Sequence, residues 1–167
     1  MSRRPHGPHY ARELQVTYRT HPARVLIDSN QITTAAQAAA VVVPILQTQT
    51  QEVFIALHLD AGRRLLGVQE VARGGLTRVD VPIRAIVAAA LGANAHGVLV
   101  AHNHPSGDPE PSVGDRTLTR RIHAALELFE IELVDHLVVG AASYCSFQET
   151  GRMRRYARTT SDAKEAR

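Results

Sequence analysis

The 167-residue chain is 44% hydrophobic, enough for one domain with its own core, and its single cysteine, Cys145, excludes an internal disulfide and any Cys-rich zinc module. No run comes near the roughly 18 apolar residues of a membrane-spanning helix, and no apolar segment follows the N-terminal arginines as in a secretory signal, so a cytoplasmic location without membrane contact is expected. The net charge of +3 is uneven: residues 1–24 carry +4 and residues 150–167 carry +4, whereas residues 25–149, with eight Arg against thirteen acids, carry −5.

In chain order, residues 1–24 read as an irregular basic leader, residues 25–149 as the folded body and residues 150–167 as a basic, disordered or fraying tail. Nucleic-acid contact through the two basic ends stands beside simple solvation as a reading of their charge. "TTAAQAAAVVVPILQ" predicts a helix capped by Thr33 or Thr34 and ended or kinked at Pro44. "EVFIALHLD" (52–60) and "LLGVQEVAR" (65–73), joined by "AGR", predict a hairpin. Asp80, Pro82 and Gly92 bracket a second helix. "GVLVAH" (97–102), bounded by Gly97 and Pro105, has the continuous apolar character of a central strand buried on both faces. From Ser112 a third helix follows, with Val113, Leu118, Ile122, Ala125, Leu126 and Phe129 at a period near 3.6 residues. Two closing strands, 133–141 and 144–149, turn through Gly140. The order α-β-β-α-β-α-β-β predicts a single-domain α/β fold, a mixed sheet sandwiched by helices.

The stretch "VLVAHNHPSGDPEPSVGDR" carries the chemistry. A strand projects residues i and i+2 to one side, so His102 and His104 face together and Asn103 faces away. Three prolines stiffen the loop behind them, and Asp115 falls in the first turn of the next helix. Two His and one carboxylate leave the fourth tetrahedral position open, the mark of a catalytic rather than a structural zinc. "SVGD" is also a variant capping box, and Asp115 is able to serve in both roles. His6, His9, His21, His58, His96 and His123 are read as ordinary packed or surface residues.

"HNHPSGDPEPSVGD" resembles the metal motif of the JAB/MPN zinc metalloproteases, the JAMM pattern H-x-H-P followed by S-x-x-D. With "GVLV" before it and "LVDHLVVG" after it, the chain is more closely similar to the bacterial RadC branch, from about Glu52 to about Glu149. The resemblance implies a cytidine-deaminase-like layout and one zinc per chain, held by His102, His104 and Asp115. It further implies that Ser112 helps stabilise an oxyanion and that Glu52 acts as general base, with Glu70 in the second strand as its rival. Asn103 is placed to tie down the loop, and His136 is either a partner of a ligand histidine or a packed residue. RadC proteins often carry an N-terminal region of helix-hairpin-helix type, and only about fifty residues precede Glu52 here; that region is expected to be lacking.

The function implied is hydrolysis of an amide bond in a peptide or protein by a JAMM-type metallopeptidase or isopeptidase. A DNA-repair-associated role and a non-catalytic interaction module are the alternatives, and an oligomer is open. The acidic body and the few aromatic residues count against nucleic acid, and intact ligands count against a module. The letters "HNH" do not make an HNH nuclease, whose three residues are far apart in sequence. Zinc deaminases need H-x-E with P-C-x-x-C, and a single cysteine excludes them.

Overall fold

Val53, Ile55, Leu57 and Leu59 alternate with Phe54, Ala56 and His58, and both sets are buried, so this strand needs cover on both faces. The computed structural model, which describes residues 31–74 and 81–153, supplies it. The basic leader, Asp80, most of the basic tail, His6, His9 and His21 lie outside the described residues. Eight elements follow in the expected order: α1 (Ala35–Leu46), β1 (Val53–Leu59), β2 (Leu65–Arg73), α2 (Ile83–Gly92), β3 (Gly97–Asn103), α3 (Val113–Glu127), β4 (Glu132–Val139) and β5 (Tyr144–Ser146). They form one α/β domain around a mixed sheet of order β2-β1-β3-β4-β5, in which only β3 and β4 run parallel.

Helix α1 covers one face, its Ala38, Val41, Val42 and Leu46 packing on Ile55, Leu57, Leu99, Ala101 and Leu137. Helices α2 and α3 cover the other, where Ile86, Ala90, Leu118, Ile122 and Leu126 pack on Phe54, Ala56, Val98, Val100 and Val138. Thr34 is the residue that caps α1: its hydroxyl oxygen accepts the Gln37 N–H, and the Gln37 side chain accepts the Thr34 N–H in return. Pro44 neither ends nor shortens that helix, which continues to Leu46. No helix among the described residues is long and apolar enough to cross a membrane.

Three local expectations need correction. Val113 and Phe129 were placed on the core stripe of α3 but are 62% and 49% exposed. Val113 is the first helical residue, and Phe129 lies beyond the C-cap Leu128, where the helical period no longer applies. The last strand stops at Ser146 rather than running to Glu149. Buried Asp135 takes hydrogen bonds from the Ser146 hydroxyl (2.5 Å), the His136 N–H (2.7 Å) and the Gln148 N–H (2.9 Å), which bends the chain out of the ladder. Past that turn Met153 is buried in the core, so the packed body extends beyond Glu149.

Burial raises the Asp135 carboxyl above its usual range despite those three bonds. A folded-state pKa above the unfolded one stabilises fully below the unfolded value, about 3.9, and that contribution is lost as pH rises through the folded value. Urea unfolding of Asp135→Asn, compared with wild type over a pH series, is therefore expected to show the wild type losing stability relative to the variant as pH rises through this window. A difference independent of pH contradicts the assignment.

Candidate metal centre

His102 shares the α3 face of β3 with Val98 and Val100 and is 1% exposed. His104 lies one residue past the strand, yet its N–H still donates to the Val139 carbonyl (2.9 Å), which keeps it in line with His102. The chain then turns at once: the Gly107 N–H donates to the His104 carbonyl (2.9 Å), and Gly107 has a φ of 84°. This loop is held against the end of β4 by the Ala141 N–H, which donates to the Gly107 carbonyl (2.9 Å). Gly140 permits that approach, since a Cβ there would collide with the Gly107 carbonyl oxygen and stand 2.9 Å from Pro109 Cδ.

Helix α3 returns the third group. The Ser112 hydroxyl oxygen accepts the Asp115 N–H (3.1 Å), and Asp115 Oδ2 accepts the Ser112 N–H (2.7 Å), a reciprocal cap that fixes the carboxylate. The same carboxylate places Oδ1 3.4 Å from His102 Nε2 and Oδ2 3.5 Å from His104 Nε2, so the cap does not compete with the cluster. The cap uses a lone pair of the Ser112 hydroxyl and leaves its proton to be donated elsewhere. Glu52, immediately before β1, brings Oε1 to 4.0 Å from His102 Nε2. Ligand atoms of Glu52, His102, His104 and Asp115 all lie within 4.8 Å of one another, and this is the one such group among the described residues.

The geometry fits a metal ion. Tetrahedral ligands about 2.0–2.1 Å from zinc stand roughly 3.3–3.4 Å apart; the two Nε2 atoms are separated by 3.0 Å and the carboxylate oxygens by 3.4 and 3.5 Å from them. The His104 ring suits the role: its Nδ1 lies 2.7 Å from the Asp108 carbonyl oxygen, which only accepts, so Nδ1 carries a proton and, in the neutral ring, Nε2 holds the lone pair.

Electrostatics agree. Burial pulls the His102 pKa down to about 4, with Asp115 opposing and His104 reinforcing, so the ring is neutral near pH 7. Burial alone would raise the Asp115 carboxyl, but the bond to His104, the neighbouring His102 ring and the two bonds with Ser112 hold it far below the usual carboxylate range. His104 is raised, chiefly by its bond to Asp115, which is made when Nε2 holds a proton; a metal ion would take that proton's place. A neutral imidazole beside a firmly ionised carboxylate is the combination a divalent cation requires.

The flanking residues fall into two groups. His136, fully buried, places Nε2 2.8 Å from His102 Nδ1 and stacks on Phe147 at a centroid distance of 4.8 Å, while Phe54 stacks on His102 at 5.8 Å. Asn103, on the opposite face, does not bind its own loop. Its Oδ1 accepts the Val53 N–H (2.8 Å), and its amide donates to the carbonyls of Gln51 (3.0 Å) and Gln49 (3.4 Å), bracketing Glu52 on both sides. Glu70 stands apart, exposed on β2 opposite Ile55 and paired through both oxygens with Arg73 (2.9 and 2.7 Å).

Residues 32–152 match the family model described as RadC-like JAB domain. The chain belongs to that family. A UPF0758 protein of Burkholderia cenocepacia (strain HI2424) is 51% identical over 104 residues, covering 62% of this chain and 40% of that protein. A UPF0758 protein of Burkholderia mallei (strain SAVP1) is 50% identical over 107 residues, covering 64% and 38%. The chain thus spans about two fifths of the length of the curated relatives it matches.

Two participants escaped the sequence reading. The Asp108 carbonyl is a backbone group and leaves no trace in residue type. Thr119, fully buried and one helical turn after Asp115, was visible as a polar residue beside the apolar positions Leu118 and Ile122. Because Gly140 seats the loop that orients His104, Gly140→Ala is expected to weaken zinc affinity by about 10-fold or more, the scale of loosening a ligand's supporting partner. Competition with a chelating dye measures this; unchanged affinity contradicts the loop's role.

Proposed function

We propose that this chain is a zinc-dependent hydrolase, a metallopeptidase or isopeptidase of the JAMM type that cleaves an amide bond in a peptide or protein. The observation that carries the reading is the convergence of His102 Nε2, His104 Nε2 and the Asp115 carboxylate within 3.5 Å, with Glu52 Oε1 just outside at 4.0 Å from His102. His102, His104 and Asp115 would hold one zinc per chain. When bound, the ion supplies a Lewis acid that polarises a carbonyl and lowers the pKa of water towards about 7.

This chain's own groups do the rest. Glu52 takes the proton from the attacking water and passes it to the leaving amine, acting first as base and then as acid. Asn103, by gripping Gln51 and Val53, holds Glu52 in range. The Ser112 hydroxyl, its lone pair occupied by the helix cap, donates to the carbonyl oxygen as negative charge develops. Phe54 and Phe147 wall the ligand side with hydrocarbon, which strengthens each of these interactions.

The test is Glu52→Gln, assayed against a panel of peptide and isopeptide substrates with metal content measured in parallel. The variant is expected to keep one zinc and lose about 10²–10⁴-fold in turnover, the usual contribution of a positioned acid–base group. Full activity in Glu52→Gln, or hydrolysis that persists after zinc removal, contradicts the mechanism. Zinc binding with no cleavage of any substrate in wild type favours an interaction module.

A further inference from the structure

Thr119 is completely buried, and its hydroxyl oxygen makes two short contacts, 2.5 Å to the Asp115 carbonyl oxygen and 2.6 Å to His136 Nδ1. A carbonyl oxygen only accepts, so the hydroxyl proton points to Asp115 and the hydroxyl lone pair faces His136. His136 Nδ1 must then carry a proton and donate it. In a neutral ring its Nε2 is bare, and the 2.8 Å contact with His102 Nδ1 requires a proton on that atom. The remaining nitrogen of His102, Nε2, is left as a lone pair directed at His104 and Asp115.

We propose that Thr119 and His136 form a tautomer-setting relay in which the Asp115 backbone carbonyl dictates, through three successive hydrogen bonds, that His102 presents Nε2 to the metal. Thr119 is a positioning residue, since it acts through His136 and touches no ligand atom. The relay ties two ligand residues together: the helix turn that delivers the Asp115 carboxylate also sets the proton on His102. Aromatic packing keeps the rings in register for it, Phe147 against His136 and Phe54 against His102. The alternative proton order, with the hydroxyl donating to His136, would leave two oxygen lone pairs facing each other at 2.5 Å with no proton between them, an arrangement this buried site would not tolerate.

The inference rests on the metal-binding reading for its purpose but not for its geometry, and the test separates the two. Long-range ¹H–¹⁵N spectra of the metal-free full chain report which ring nitrogen carries the proton. Both His102 and His136 are expected as the Nδ1–H tautomer. Thr119→Val, which removes the hydroxyl at nearly constant volume, is expected to abolish the single tautomer at His136 and to weaken zinc affinity about 10–100-fold. Thr119→Ser is expected to restore both. Wild-type His136 protonated at Nε2 overturns the relay, as does equal loss in the Val and Ser variants or no loss in either. Should Thr119→Val not fold, the wild-type spectrum and the Ser variant decide the matter alone. A wild type with the expected tautomers that takes up no zinc would overturn the metal reading and leave the relay standing.

Discussion

Two imidazole nitrogens that both present lone pairs repel each other at 3.0 Å unless positive charge lies between them. The end of β3 sets the Nε2 atoms of His102 and His104 in that relation when both rings are neutral. The Asp108 carbonyl holds the proton of His104 on the far side of its ring. Burial keeps His102 neutral, so it does not relieve the repulsion by taking up a proton of its own. The Asp115 carboxylate, clamped by the helix cap, adds a negative charge within 3.5 Å of both rings. An ionised carboxylate beside two imidazole nitrogens that converge on one point is a centre that a divalent cation stabilises.

The sheet divides the labour by face. His102 projects towards α3, where Asp115 joins it, and Asn103, one residue on, projects towards α1, where it grips the segment that bears Glu52. A strand slipped by one residue would exchange those faces and bury the amide where the ligand belongs. The parallel pairing of β3 with β4 places Val100 opposite His136 and His102 opposite Val138, so the ring of His136 reaches His102 diagonally from the neighbouring strand. Candidate metal ligands, acid–base candidate and supporting residues therefore depend on the same strand register.

Much of this was legible before any coordinates, for identifiable reasons. Helix caps and stops, β-branched and apolar runs between turn residues, and the 3.6-residue period of α3 located all eight elements. The cluster was legible because short-range spacing places His102 beside His104, and the capping box announces where Asp115 turns inward. What failed depended on tertiary partners. Phe129 continues the apolar period but falls past the end of α3. Phe147 to Glu149 read as strand until buried Asp135 claims the Gln148 N–H. Asn103 was expected to restrain its own loop, and its partners instead lie some fifty residues earlier in the chain. Thr119 matters through a backbone carbonyl, a contact that residue type does not encode.

The central claim is that His102, His104 and Asp115 hold one zinc with an open fourth position. X-ray absorption spectroscopy of the zinc-loaded protein measures this most directly. The account predicts a four-coordinate nitrogen and oxygen shell at about 2.0–2.1 Å with two imidazole contributions and no sulfur, reduced to one imidazole in His104→Ala. A six-coordinate shell, a sulfur ligand, or a spectrum unchanged in that variant would contradict it.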